Sequence, residues 1–261
     1  MMTRTSKPRL ASYMPAVLSV GGLISLWLIA TASGMVGPVR LPGAGDLWSA
    51  LNQLIDPGYA GGTLLQQVWF SMRLVLAGFF VAVVTGVPLG IAMGMSTRIE
   101  AFVNPAFLMI RPIPPLAWIP LAILWFGLGD SAKIFVIWFG AFVPALINSY
   151  TGVRSVDPTL ISAARVHGAS TRHVVLDVVI PGALPLIFTG LRLSLQASWT
   201  ALVAAELVGA FYGLGKVLMT AARDLYPGMI AVTMICVAIL GAAMTWLLGR
   251  AERLATPWRP V

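Results

Sequence analysis

Cysteine is nearly absent: Cys236 is the single one in 261 residues. One thiol excludes a disulfide within the chain and any cysteine-built metal site. Histidine is almost as scarce. His167 and His173 are the two present, and no carboxylate or cysteine stands at a spacing suited to a shared metal, so they read as interface or surface residues. Charge is short as well, at 10% of residues, where a soluble domain carries about 25%. There is no phosphate-binding loop. The nearest approach, Ala210–Val217 (AFYGLGKV), lacks the first Gly and the final Ser or Thr, so the chain is not expected to hydrolyse ATP. No Gly-x-Ser-x-Gly elbow and no His/Cys/carboxylate constellation is present either, which speaks against a membrane-embedded enzyme.

What is abundant is apolar sequence, 58% of the chain, gathered into long runs. That combination indicates a polytopic membrane protein. A net charge of +8 suggests nucleic acid in a soluble chain. Here the simpler reading is that Lys and Arg collect in cytoplasmic loops, and no nucleic-acid partner is expected. Six spans are expected, near 13–33, 68–95, 101–127, 132–153, 184–207 and 227–248. The first follows a basic start (Arg4, Lys7, Arg9) and could pass for a signal peptide. Its length of about twenty residues suits a retained helix. The third holds Pro112, Pro114, Pro115 and Pro120. Prolines remove backbone donors, and irregular backbone at membrane depth is tolerated only against protein or a water-filled cavity. Neither a repeat nor a low-complexity tract is visible, so 1–261 reads as one all-α transmembrane domain.

An even number of spans puts both ends on one side. With that side inside, the inner segments hold Arg4, Lys7, Arg9, Arg98, Arg154, Arg165, Arg172, Arg250, Arg253 and Arg259. The outer loops hold Arg40, Lys133, Lys216 and Arg223. The bias predicts cytoplasmic termini, with 1–12 as a cytoplasmic tail and the segment 157–181 also in the cytoplasm.

That segment, DPTLISAARVHGASTRHVVLDVVIP, is the most polar long stretch of the chain. Asp157-Pro158 is a helix start. Gly168 can take positive φ and end the helix. Ser170 or Thr171 can cap a second helix, which Pro181 is expected to stop near Ile180. Ala163 and Ala164 are small and leave room for a partner's surface. A DNA-binding helix-turn-helix fits the pattern loosely, but apolar spans on both sides leave no room for such a domain.

Charged residues inside spans are costly and face the interior or an aqueous cavity. Arg111 and Arg192 sit roughly ten residues into their spans, and Glu206 sits near the outer end of the fifth. Two readings stay open: an Arg–Glu or Arg–backbone pairing that fixes packing, or a positive pathway for an anion, which Trp118 and Trp199 could also line.

The 157–181 segment resembles a motif of the inner-membrane permeases of bacterial ABC importers: Glu-Ala-Ala, three residues, Gly, nine residues, Ile, one residue, Leu-Pro. The counterparts are Ser162-Ala163-Ala164, Gly168 and Val178-Val179-Ile180-Pro181. Ser162 stands in the place of the Glu, so that side chain's contact is not carried over. RPIPPLAWIPLAILWFGLG at 111–129, LPLIFTGLRLSL at 184–195 and WTALVAAEL at 199–207 are similar to permeases for taurine, alkanesulfonates and nitrate, taurine permeases above all. The resemblance implies a type I importer fold, with the segment between spans four and five as a coupling helix. Ser162, Ala163, Ala164, Arg165, His167, Gly168 and Ala169 would dock on an ATPase. It further implies a homodimer, two cytoplasmic ATPase subunits that bind the ATP and Mg, a periplasmic or lipid-anchored binding protein, and a bacterial inner-membrane location. The substrate implied is taurine or another sulfonate, with nitrate and aromatic carboxylates as alternatives. A secondary transporter or channel working without an ATPase is the reading from another class.

Overall fold

The structure is a computed structural model that describes residues 14–34, 37 and 40–258. The tail at 1–12 and Arg259 therefore lie outside the described residues. No strand occurs among those described. The helices are α1 (Met14–Ala32), α2 (Ala44–Ile55), α3 (Leu64–Met95), α4 (Thr97–Ile110), α5 (Ile119–Phe126), α6 (Asp130–Arg154), α7 (Pro158–Val166), α8 (Thr171–His173), α9 (Ile180–Gly209), α10 (Leu214–Arg223) and α11 (Pro227–Ala255).

Four of these are long and apolar enough to cross a membrane: α3, α6, the unbroken helix Thr171–Gly209, and α11. The pair α4 and Pro115–Phe126 makes a fifth if counted as one span, bent by 84°. The apolar part of α1, Leu18–Ala32, is shorter than these. Among the described residues, length and composition thus give four or five spans, against the six expected.

α6 is the central element, packed between α3 and α9. Association of helices in lipid relies on close packing rather than on the hydrophobic effect, and small residues permit it. A stripe on α3 supplies them. A Cβ added at Gly78 would stand 2.5 Å from Ile137, and one at Gly94 would stand 2.6 Å from Val153. On the other side of α6, Gly190 of α9 lies against Asn148, where a Cβ would approach to 2.6 Å. Leu74, Val75, Val136, Ile137, Leu195 and Leu202 fill the resulting core. A second cluster joins α2, α10 and α11 through Leu54, Val217 and Met229.

The prolines act as expected in the third span and not at Pro181. After Ile110 the chain turns at Arg111, and a 3₁₀ turn at Pro115–Trp118 leads into α5. The missing donors are thus placed at the bend. Pro181 does not stop its helix. Val174–Val179 is π-helical, with the Ile180 N–H donating to the Val175 carbonyl, and α9 continues through Pro181. A π turn shifts the bonding register by one residue, so the chain passes a residue that has no N–H to give.

Candidate functional site

The 157–181 segment is rigid for reasons visible atom by atom. Asp157 caps α7, its Oδ1 accepting the Thr159 N–H at 2.8 Å. Bonds from the Thr159 side chain and backbone hold the Asp157 carboxyl below its usual range, so the cap is ionised at neutral pH. At the other end the Gly168 N–H donates to Arg165 at 3.0 Å, and the Ala169 N–H donates to Ala164 at 3.0 Å. Together they form a Schellman closure, with Gly168 at φ +79°. Ser170 then accepts the His173 N–H at 3.4 Å and starts the next helix.

Of the residues expected to dock a partner, Ser162, Ala163, Arg165, His167 and Gly168 are exposed. Ala164 is different. With Ile161 and Ala169 it packs inward against Val153, Val174, Val179, Ala183 and Ile187. Its small side chain therefore serves the attachment of α7 to the span ends, and Ala163 keeps the outward approach open. Two residues of the outer face were not expected. Leu160 is 57% and Val166 is 86% exposed. An apolar side chain left on the water-facing side of a short capped helix was a signal the motif spacing did not carry. Just ahead of α7, Tyr150 donates to Glu100 at 2.5 Å, and Arg154 pairs with the same carboxylate. This ties the end of α6 to the start of α4.

The five residues considered for a pathway fall in four places. Arg111 is exposed at the elbow after α4 and edges an apolar hollow with Phe107, Phe139 and Phe142. Trp118 packs on Phe139, ring centroids 4.7 Å apart, with its Nε1 unpartnered. Arg192 and Trp199 are brought together, on one groove between α9 and α11. Arg192 pairs with Glu252, a carboxylate close to the end of α11 rather than one at mid-span.

Glu206 meets no arginine. It is 1% exposed, accepts the Ser71 hydroxyl at 2.9 Å and accepts the Gly215 N–H at 2.7 Å. The neighbouring amides of Gly213 and Leu214 donate to Gln67 Oε1 at 2.6 Å and Ser71 Oγ at 2.8 Å. The stretch 208–226, between the expected fifth and sixth spans, contains α10. Its first amides are satisfied by side chains of α3 and α9, which supply acceptors where a helix start has none of its own.

The match to known proteins follows the same elements. The family described as binding-protein-dependent transport system inner membrane component matches residues 86–256, from the middle of α3 to the end of α11. The chain belongs to this family. It is 37% identical over 246 residues to the taurine transport system permease protein TauC of Escherichia coli (strain K12), covering 92% of this chain and 89% of TauC. Against the bicarbonate transport system permease protein CmpB of Synechococcus elongatus the identity is 35% over 228 residues, covering 84% and 81%. Among solved structures, a chain of the MetNI methionine ABC transporter in an inward-facing conformation aligns with TM-score 0.65 at 22% identity. The alignment covers 74% of this permease and 96% of that chain. The fold is that of a type I ABC importer permease. The permease is a multi-pass membrane component of such an importer, and the family implies separate ATPase and substrate-binding partners.

Proposed function

We propose that this permease imports a small organic anion, taurine or another sulfonate, driven by two separate cytoplasmic ATPase subunits docked on α7. The observation that carries the coupling is the closed α7–Gly168 corner. A helix capped at both ends and anchored to the spans transmits rigid-body motion, where a loop would absorb it. Ser162, Ala163, Arg165, His167 and Gly168 form the docking face, with Leu160 and Val166 as its apolar contacts. The working unit is a homodimer of six-span subunits with cytoplasmic termini in the bacterial inner membrane. A periplasmic or lipid-anchored binding protein delivers the substrate. ATP and Mg are bound by the ATPases. Names of relatives support the anion: TauC is a taurine permease and CmpB a bicarbonate permease, and both ligands carry an oxyanion.

The test is reconstitution in liposomes with and without the ATPase and binding protein encoded beside it. Uptake is expected only with both partners and ATP. Uptake by the permease alone, indifferent to ATP, would make it a secondary transporter or channel.

Arg111 belongs to the pathway in this reading. It is exposed and stands where the 84° bend begins. Arg111→Ala is expected to lower the uptake rate about tenfold, the equivalent of ~1.4 kcal/mol, with complex assembly unchanged by size-exclusion chromatography. Unchanged uptake would assign Arg111 to packing at the elbow.

A further inference from the structure

The groove between α9 and α11 has a volume of ≈ 770 Å³ and a composition that lipid does not explain. On its α9 side Arg192, Gln196 and Thr200 follow one another at one-turn intervals, all exposed. Polar groups on a membrane span need a polar companion or an aqueous cavity. The Thr200 hydroxyl donates to the Gln196 carbonyl at 3.2 Å and Arg192 reaches Glu252 of α11, but the facing side of α11 otherwise leaves open space, since Gly241 and Gly249 carry no side chains. Arg192 lies over Gly249, its Nη2 3.7 Å from where a Cβ would be. Arg253, one turn further along α11, lines the same end and has no acidic partner among the described residues. Among the described residues Glu252 is the one carboxylate paired at this end. Two guanidinium groups against one carboxylate leave this end of the groove positive.

Trp199, 5% exposed, packs in the base of the groove against α11, its indole Nε1 3.9 Å from where a Cβ on Gly241 would stand. With the exposed Trp246 on the α11 wall, which Arg250 also stacks on at 4.4 Å, the groove is edged by two indoles near a cationic end.

We propose that this groove is an anion subsite of the permease. It takes the head of a small organic oxyanion such as a sulfonate at Arg192 and Arg253, and the organic part between Trp199 and Trp246. Glu252 occupies Arg192 when the site is empty and is displaced when the anion arrives. The proposal rests on the reading of the chain as a permease for an anion.

The test uses the complete importer in proteoliposomes, in a Cys236→Ser background with Gln196→Cys, one turn from Arg192. The probes are sulfonatoethyl methanethiosulfonate and its trimethylammonioethyl counterpart. Each rate is divided by that reagent's rate with free mercaptoethanol. The sulfonate reagent is expected to be favoured by on the order of tenfold. That preference should vanish when Arg192→Gln and Arg253→Gln are added, and should rise with Glu252→Gln, which releases Arg192. Millimolar taurine should slow the sulfonate reagent at least twofold. Equal normalised rates, a preference indifferent to the two arginines, no slowing by taurine, or a groove that neither reagent reaches would each overturn the subsite. ATP-driven uptake measured on the Cys236→Ser parent separates the two levels. If it persists while the preference is absent, the subsite alone is wrong. If uptake proves independent of ATP, the importer reading itself fails.

Discussion

Gly168→Pro is expected to reduce ATP-driven uptake by at least tenfold and to release the ATPase from the permease during purification. Membrane insertion should be unaffected. Sterics are not the cause, because nothing lies within 4 Å of an added Cβ at Gly168. Conformation is. Gly168 sits at φ +79°, and proline is locked near −65°. The substitution also removes the N–H that donates to Arg165, and it pulls the Ala169 N–H away from Ala164. Losing both reopens the end of α7 and lets its exposed face turn away from the partner. The loss should be graded. Gly168→Ala retains the N–H and pays about 1–2 kcal/mol for the left-handed conformation, so it should keep part of the uptake. Gly168→Asn, which tolerates that conformation better, should keep more. Ordinary uptake and ATPase co-purification in the proline variant would remove α7 from the coupling role.

The largest effect on stability is expected at Glu206. Glu206→Leu leaves the Gly215 amide without an acceptor and Ser71 without its carboxylate, at a buried position. Orphaned buried groups cost about 1–3 kcal/mol each. A total near ~3 kcal/mol should lower the thermal unfolding midpoint in detergent by on the order of 5–10 °C. Glu206→Gln keeps one oxygen to accept the Gly215 N–H but gives up the second carboxylate oxygen, so Ser71 and Gly215 must share an acceptor; it should lose less than the leucine variant. The order Glu, Gln, Leu is the discriminating result. A leucine variant as stable as the parent would mean that α10 is held by Leu214, Val217 and Ala221 alone. Since α10 closes one end of the α3–α9 contact, the same variant should also show faster proteolysis near 208–226.

Much of the permease was readable in one dimension because its signals are local. Asp157-Pro158 is a helix start wherever it occurs, and Gly168 is a helix end for the same intrinsic reason. Four prolines between 112 and 120 had to interrupt their span, and the 84° bend is that interruption. The spacing from Ala163 to Pro181 carried the family. Where the reading stopped short, the deciding contact was between distant residues. Pro181 looked like a stop because its lost hydrogen bond was assumed to have an α-helical register. α10 was hidden in a Gly-rich stretch because its cap comes from Gln67, Ser71 and Glu206 on two other helices.

Composition, charge bias and motif spacing therefore determined by themselves that this is a helical membrane permease with a rigid polar insert, since each depends on residues near one another in the chain. Which charges share a place was decided by tertiary structure alone. Arg192 is 60 residues from its partner Glu252, and Glu206 is 135 residues from Ser71. Inside spans an arginine and a glutamate look like natural partners, but helix packing sets which side chains meet. In this fold it sends Glu206 to the amides of α10 and Arg192 to the end of α11.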